Sequence, residues 1–339
     1  MGICWYCFID DFGRIGAKLD KEMSKSTKKK YKMAVNLSKN ITLKKILIIV
    51  VGLVFIAYLY PIEQFTFDER YPTDDVVSES LRLFREEPTK TLKTNGKDWT
   101  YYQAGDGDTT ILFLHGMGGS YDIWWQQINY FRSKYKVISV TYPSVKTLKE
   151  LSDGLIAILE KEKIDKVIVV GSSLGGYLAQ YFAVNHPGKV MKVSLGNTFA
   201  QNTENKVKNE TLVKVMQWLP EWLVIKTIRG KYNKEVIPAA NNHPVTDAFL
   251  NELLGTEVTR EIFTNRYYCV VDTFTAKIDS NIPLQIIETS NDPLVSKNLR
   301  EALKANYPQA KVVNLGNIGH FGYLNEPVKY NAVLDEFVR

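Results

Sequence analysis

The sequence is poor in cysteine and histidine, with three and four of them in 339 residues. Cys4 and Cys7 lie near the N-terminus and Cys269 stands alone far along the chain, so the cysteines do not form the framework of a disulfide-stapled protein. The CWYC stretch (4–7) is half of a zinc-type motif with no second half. We therefore predict no metal, and nothing in the sequence implies an organic cofactor.

The main part of the chain also lacks the positive charge expected of a nucleic-acid-binding protein. The net charge is +6, but residues 1–45 contain eleven Lys/Arg and four Asp/Glu, or +7, which leaves −1 for residues 46–339. Apolar residues make up 45% of the chain, enough for a globular core. We predict no nucleic-acid partner, and the sequence leaves the oligomeric state open.

A long uncharged stretch, residues 46–62, follows this basic tail. Seventeen residues is the short limit of a membrane-spanning helix, which needs about 17–25 residues, and no small-residue cleavage site follows. We predict an uncleaved transmembrane signal anchor, with a cleaved signal peptide and a buried core helix as alternatives. Because Lys and Arg concentrate before the stretch, residues 1–45 should be cytoplasmic and the main part of the chain after the stretch non-cytoplasmic. Met33 precedes the same pattern, so both Met1 and Met33 stay open as the start.

Residues 63–90 are polar and proline-containing, and we interpret them as a stalk with a short helix near 76–86. Two β-like pieces, 91–94 and 99–103, flank an Asn-Gly turn and predict an antiparallel edge. From residue 111 apolar strands alternate with amphipathic helices, a pattern typical of a mostly parallel sheet with helices on both faces. The predicted fold class of residues 91–339 is therefore α/β.

Residues 199–279 interrupt that alternation. They contain an apolar and aromatic cluster around residues 216–225 but no strand-helix rhythm. We predict a helical lid insertion, in which the aromatic residues either pack together or form a substrate wall.

Residues 167–183 contain the clearest catalytic motif. An apolar strand, the turn Gly-Ser-Ser-Leu-Gly (171–175) and a helix follow one another, which is the context of a G-x-S-x-G nucleophile elbow. The glycines permit a sharp turn that exposes Ser173, and the helix N-terminus behind it favours a developing negative charge. We predict Ser173 as a nucleophile for acyl transfer, the alternative being a structural Gly/Ser turn.

A serine hydroxyl needs a base to take its proton at neutral pH. His320 lies in a glycine-bounded loop after the last predicted strand, where a base can approach the elbow. Each of His115, His186 and His243 has a structural explanation, at a turn or beside a proline. We predict His320 as the base.

A carboxylate should orient that histidine and come between serine and histidine in the chain. Asp292 follows an apolar strand at 284–287 and precedes Pro293. Glu288 and Asp279 are the alternatives, and Asp292 could instead serve as a helix cap. We predict Asp292 as the orienting acid.

The oxyanion hole of such a site uses the N–H after the nucleophile and a second N–H from the turn after an earlier strand. These positions are Leu174 and Met117. The second lies in the glycine-rich stretch HGMGG (115–119), whose backbone can approach a ligand closely.

The chain resembles the α/β-hydrolase fold family over about residues 91–339. Four stretches carry the resemblance: HGMGG (115–119), GSSLGG (171–176), PLQIIETSND (283–292) and GHFGYLNEP (319–327). Shorter matches resemble the maspardin-like branch of that family: YP (142–143), LSDG (151–154), LAQ (178–180), GNTF (196–199) and YP (307–308).

The residues together predict a membrane-anchored serine hydrolase that acts on an ester or other acyl substrate, a small-molecule acyl or lipid-like compound. The complete set of Ser173, Asp292 and His320 favours activity. The maspardin-like resemblance implies the alternative, a catalytically weak binding or scaffold protein.

Overall fold

The computed structural model of the protein describes residues 29, 30, 32, 43–201 and 203–339. Most of the predicted basic tail, including Cys4, Cys7 and Met33, lies outside the described residues.

The apolar stretch after the tail forms helix α1 (Leu43–Leu59). Its 17 residues rise about 25 Å at about 1.5 Å per residue, less than the hydrocarbon core of about 30 Å. The helix stops before Pro61, because the residue before a proline is disfavoured in the α conformation. Across residues 43–201 and 203–339, no helix has both the length and the apolar character needed to cross a membrane. The predicted transmembrane signal anchor over 46–62 is therefore wrong, and so is the single-pass localisation with the catalytic part on the non-cytoplasmic side.

Pro61–Arg339 forms one compact unit. The predicted stalk contains two helices, α2 (Phe67–Arg70), which begins with a Thr66 capping box, and α3 (Val76–Glu86), capped by Asp75. Phe67, Leu81 and Phe84 are buried in one of the two hydrophobic cores of the unit, the one that also contains Ile111 and Phe113. Residues 63–90 thus pack on the rest of the unit.

The described residues form one eight-stranded sheet with the strand order β1-β2-β4-β3-β5-β6-β7-β8. The strands are β1 (Lys90–Thr94), β2 (Lys97–Ala104), β3 (Thr110–Leu114), β4 (Lys136–Thr141), β5 (Val167–Ser172), β6 (Val190–Gly196), β7 (Leu284–Glu288) and β8 (Lys311–Asn314). β2 pairs antiparallel with β1 and with β4, and every other pairing is parallel. The Asn95-Gly96 turn between β1 and β2 has positive φ at both residues, as a two-residue hairpin requires.

Helices lie on both faces of this sheet, and a further group of helices forms an insertion. From β3 onward they are α4 (Trp125–Phe131), α5 (Leu148–Lys161), α6 (Leu174–Asn185), α7 (Thr203–Met216), α8 (Glu221–Lys231), α9 (Ile237–Ala239), α10 (Pro244–Leu253), α11 (Arg260–Val271), α12 (Lys297–Asn306), α13 (Gly322–Asn325) and α14 (Pro327–Val338). Successive residues of β3 enter different cores: Ile111 and Phe113 pack in one, Leu112 and Leu114 in the other. A strand buried on both faces reads as a continuous apolar run. The predicted α/β architecture with a mostly parallel sheet is confirmed.

Helices α7 to α11 form an insertion between β6 and β7. Helix α2 packs on it, since the ring of Phe67 meets that of Phe249 edge to face and Arg70 pairs with Asp247 at 2.9 Å. Arg85 contacts both Glu252 of α10, at 2.6 Å, and Asp122, at 2.8 Å. Buried aromatic rings and ion pairs therefore attach helix α10 of the insertion to helices α2 and α3.

Candidate active site

Ser173 stands between the end of β5 and the start of α6. Its φ of 55° and ψ of −122° are unusual for a residue with a side chain. The backbone is fixed around it: the Ser173 N–H donates to the Gly196 carbonyl at 3.0 Å, and the Thr198 hydroxyl donates to the Ser173 carbonyl at 2.6 Å. The side chain is half-buried.

Glycine is required where this turn touches the next strand. A Cβ on Gly175 would lie 2.0 Å from the Leu114 carbonyl oxygen, far inside van der Waals contact. The turn can therefore close against β3, and this brings Ser173 next to the loop that follows β3.

The structure brings His320 and Asp292 together. His320 Nδ1 lies 2.8 Å from Asp292 Oδ2. Because a carboxylate only accepts, Nδ1 carries the proton in this contact and Nε2 is left as the basic nitrogen. His320 has only 2% of its surface exposed.

Asp292 is held as a carboxylate by several donors. Its Oδ1 accepts from the N–H groups of Leu294 and Val295, at 2.8 and 3.0 Å, and its Oδ2 also accepts from Asn197 Nδ2 at 2.8 Å. Burial by itself would raise the pKa of Asp292, but attraction to His320 and the hydrogen bonds from His320, Asn197 and Val295 hold the pKa below its ordinary value. The alternative of a helix cap is not observed at Asp292, since the next helix, α12, begins at Lys297 with Ser296 as its N-cap. The Oδ1 atom instead accepts from loop N–H groups while Oδ2 contacts His320.

The alternative acids lie elsewhere. Glu288 is at the end of β7 and pairs with Lys304 at 3.0 Å. Asp279 is exposed and accepts from the N–H of Asn281.

None of the other three histidines makes the contact with Asp292 that His320 makes. His115 is fully buried, with Nδ1 donating to the Gly116 carbonyl at 2.6 Å and Nε2 accepting from the Tyr142 N–H. Burial, followed by repulsion from Arg266, lowers the pKa of His115 well below its usual value, so the ring stays neutral. Burial also lowers the pKa values of His186, whose Nε2 contacts Ser152, and of His243.

The glycine-rich loop after β3 lies against the nucleophile turn. A Cβ built on Gly116 would be 3.7 Å from Ser173 Oγ and 3.1 Å from Ser173 Cβ. Met117 follows in this loop, and Leu174 is the first residue of α6, so its N–H has no acceptor within the helix. Both predicted oxyanion donors thus lie in backbone segments next to Ser173.

Ser173, His320 and Met117 line one cavity of about 360 Å³. The insertion contributes Lys231, Tyr232, Tyr267 and Val270, and the segment after Asp292 contributes Leu294, Val295 and Leu299. The described lining residues contain one formal cation and no carboxylate. The cavity suits a mainly apolar small molecule.

Two residues at the site escaped the sequence analysis. Asn197 follows β6 and joins Asp292 to the Thr289 hydroxyl, at 2.8 Å each. A polar residue at the carboxyl end of an apolar strand next to β5 is a signal that could have pointed to it. Arg266 lies in α11 and donates to the carbonyls of Met117 and Gly119. Nothing in the local sequence distinguishes this arginine from a surface one.

Among the described residues, no group of three or more His, Cys, Asp or Glu side chains is arranged to hold a metal ion. Cys269 is buried, and its thiol contacts the Val145 carbonyl.

Comparison with known proteins identifies several that are similar to this chain in sequence or in fold. Maspardin of Danio rerio is 27% identical over 257 residues, 72% of this chain and 79% of the relative. Pimeloyl-(acyl-carrier protein) methyl ester esterase of Legionella pneumophila is 23% identical over 258 residues, 69% of this chain and 97% of the relative. A crystal structure of a hydrolase from Pseudomonas aeruginosa has the same fold, with a TM-score of 0.64 at 18% identity, covering 75% of this chain and 99% of that one.

The chain also matches a whole family of proteins. Residues 111–333 fit the sequence profile of the alpha/beta hydrolase family. The resemblance predicted from HGMGG and GSSLGG is thereby confirmed. Because the matched residues make up well over half of the sequence and run from β3 into α14, the chain belongs to the alpha/beta hydrolase family.

Proposed function

We propose that this protein is a serine hydrolase that cleaves an ester or another acyl substrate through an acyl-enzyme on Ser173. The observation that carries the proposal is the 2.8 Å contact between His320 Nδ1 and Asp292 Oδ2, made by a histidine that shares its cavity with Ser173. A histidine oriented by a carboxylate beside a strained, half-exposed serine is the arrangement that activates a hydroxyl for attack.

In the first step Ser173 Oγ attacks the acyl carbon while His320 Nε2 takes the hydroxyl proton. The C–O bond to the leaving group breaks, and His320 returns that proton to the departing oxygen. In the second step water attacks the acyl-enzyme, gives its proton to His320 and releases the acid with Ser173 restored. Asp292 keeps the basic nitrogen of His320 facing the serine and stabilises the imidazolium formed in each step.

The N–H groups of Met117 and Leu174 are the donors for the oxyanion of both tetrahedral intermediates. The positive end of α6, a helix of 12 residues, adds to this stabilisation. The helical insertion supplies a wall of the cavity through Tyr232 and Val270, and we assign it the role of a lid.

Labelling with a fluorophosphonate tests the proposal, because this reagent reacts with activated serines. Wild-type protein should be labelled, whereas Ser173→Ala should not. Ser290→Ala is the matched control, since Ser290 is exposed and contacts Asn314 instead of the histidine. Absence of labelling in folded wild-type protein would overturn the proposal.

The similarity to maspardin favours a second candidate, a binding or scaffold protein with weak or no turnover. Fold alone does not separate the two functions. If His320→Ala abolished labelling but left the biological role intact, the scaffold function would be the better account.

A further inference from the structure

Arg266 is a fully buried arginine that makes no direct ion pair with a carboxylate of the described residues. It lies in α11 of the insertion with none of its surface exposed. Its Nη1 donates to the carbonyls of Met117 and Gly119, both at 2.9 Å, and its Nη2 donates to the Tyr142 carbonyl at 2.9 Å. Within the described part of the chain, no acidic side chain forms an ion pair with it.

An unpaired buried cation is costly, and most buried charges are paired for that reason. Burial lowers the pKa of Arg266 to about 10, so the guanidinium is still charged at neutral pH. Its charge is stabilised by three carbonyl dipoles in direct contact and, at longer range, by attraction to Glu257. Two of the three carbonyls belong to the glycine-rich loop beside Ser173. A residue needed only to fill the core could have been apolar.

The bonds to this loop fix the backbone on both sides of the Met117 Cα. On one side, the Gly116 carbonyl accepts from His115 Nδ1 at 2.6 Å and from the Gly119 N–H at 3.1 Å. Since the C=O and N–H of a trans peptide point in opposite directions, this carbonyl sets the direction of the Met117 N–H. On the other side, Arg266 holds the Met117 carbonyl.

We propose that Arg266 is a positioning residue that holds the Met117 amide where it can donate to the oxyanion formed at Ser173. The inference rests on the proposed function. It gives the insertion a part in catalysis, because α11 holds the glycine-rich loop through Arg266 in addition to lining the cavity. Arg266 is placed behind the glycine-rich loop and is not among the residues that line the cavity, so it acts through Met117 and not on the substrate.

The chain offers a matched control in Arg229. This arginine also lies in the insertion, in α8, is 7% exposed and donates through Nη2 to two backbone carbonyls, those of Glu63 and Leu254. It does not contact the glycine-rich loop. Arg229→Met therefore reports what the loss of a buried insertion arginine does to folding alone.

The experiment compares kcat and KM for p-nitrophenyl butyrate, the rate of fluorophosphonate labelling and the melting temperature in wild type, Arg266→Met, Arg266→Lys and Arg229→Met. Removal of an oxyanion donor typically costs about 10²- to 10³-fold in rate. We expect Arg266→Met to lower kcat and the labelling rate by up to that factor with KM little changed. Arg266→Lys should recover part of the loss, because one ammonium can reach some of the carbonyls.

Arg229→Met should keep kcat even where it lowers the melting temperature. The proposal is overturned if folded Arg266→Met and Arg266→Lys both keep the wild-type kcat, or if Arg229→Met loses as much activity as Arg266→Met. Should Arg266→Met not fold, Arg266→Lys decides by the same kcat criterion. A wild-type protein that is neither labelled nor active would instead refute the proposed function, and this inference with it.

Discussion

The Nδ1 atom of His320 and the Oδ2 atom of Asp292 lie 2.8 Å apart, joining the loop after β8 to the loop after β7. The two strands are neighbours in the sheet, and β7 pairs with β8 in parallel. Their carboxyl ends therefore meet at one edge, the edge from which Ser173 projects after β5.

The first prediction concerns the orientation of His320. In Asp292→Asn, the amide can present an N–H where the carboxylate accepted, which favours the wrong tautomer of the imidazole. We expect kcat for an ester substrate to fall by roughly 10⁴-fold with little change in KM. Steady-state kinetics measure both. Asp279→Asn and Glu288→Gln, the two alternative acids, should stay close to wild type, and an equal loss in either one would contradict the assignment.

The second prediction concerns acid stability. The folded-state pKa of Asp292 lies below its ordinary value of 3.8, so the carboxylate binds protons more readily in the unfolded chain. The stabilisation it gives is fully present above about pH 4 and is lost as the pH falls below that toward the folded-state pKa. The difference in unfolding free energy between wild type and Asp292→Asn, from urea titrations between pH 7 and pH 2.5, should be constant at first and then shrink. A difference that grows on acidification would refute this.

Much of the candidate site could be predicted because it follows from sheet topology. Ser173, Asp292 and His320 each come shortly after a predicted parallel strand, and parallel strands present their carboxyl ends together. The G-x-S-x-G turn carries its own local geometry in its glycines. For these residues, the short-range sequence pattern and the strand order contain most of the information that determines their positions in the fold.

The rest depends on contacts between distant segments. Arg266 reaches the Met117 carbonyl across 149 positions, and Asn197 reaches Asp292 across 95. No local pattern encodes either partner. The membrane prediction for residues 46–62 is wrong because the helix does not cover the whole uncharged stretch: α1 ends at Leu59, before Pro61.

The third prediction concerns residues 61–89. Three of their apolar side chains, those of Phe67, Leu81 and Phe84, are at most 3% exposed. Each fully buried large apolar side chain contributes about 1.5–3 kcal/mol, so their joint loss approaches the stability of a whole domain, about 5–15 kcal/mol. We expect a chain of residues 61–339 to unfold cooperatively and a chain of residues 90–339 to lack a cooperative thermal transition by circular dichroism.

Single substitutions provide the control for that truncation. Phe84→Ala within residues 61–339 should lower the melting temperature, whereas Val76→Ala, at a side chain that is 79% exposed, should not. Equal melting temperatures for the two truncated chains would show that helices α2 and α3 contribute nothing to stability.

The last prediction concerns Lys231 and the charge of the substrate. Lys231 is exposed, lines the cavity with Ser173 and is the one formal cation among the described lining residues, which include no carboxylate. A substrate with an anionic group at the far end of its acyl chain would be attracted there, although an exposed ion pair contributes only about 0.2–1 kcal/mol, or about 1.5- to 5-fold in kcat/KM.

The measurement is the ratio of kcat/KM for p-nitrophenyl glutarate, which carries a carboxylate, to that for neutral p-nitrophenyl valerate. Lys231→Glu should lower this ratio, and added salt should lower it in wild type because exposed charges are screened. Lys234→Glu, an equal charge reversal at an exposed residue outside the cavity lining, should leave the ratio nearly unchanged. If both variants change it equally, the attraction comes from the net charge of the protein and Lys231 has no particular role in selecting the substrate.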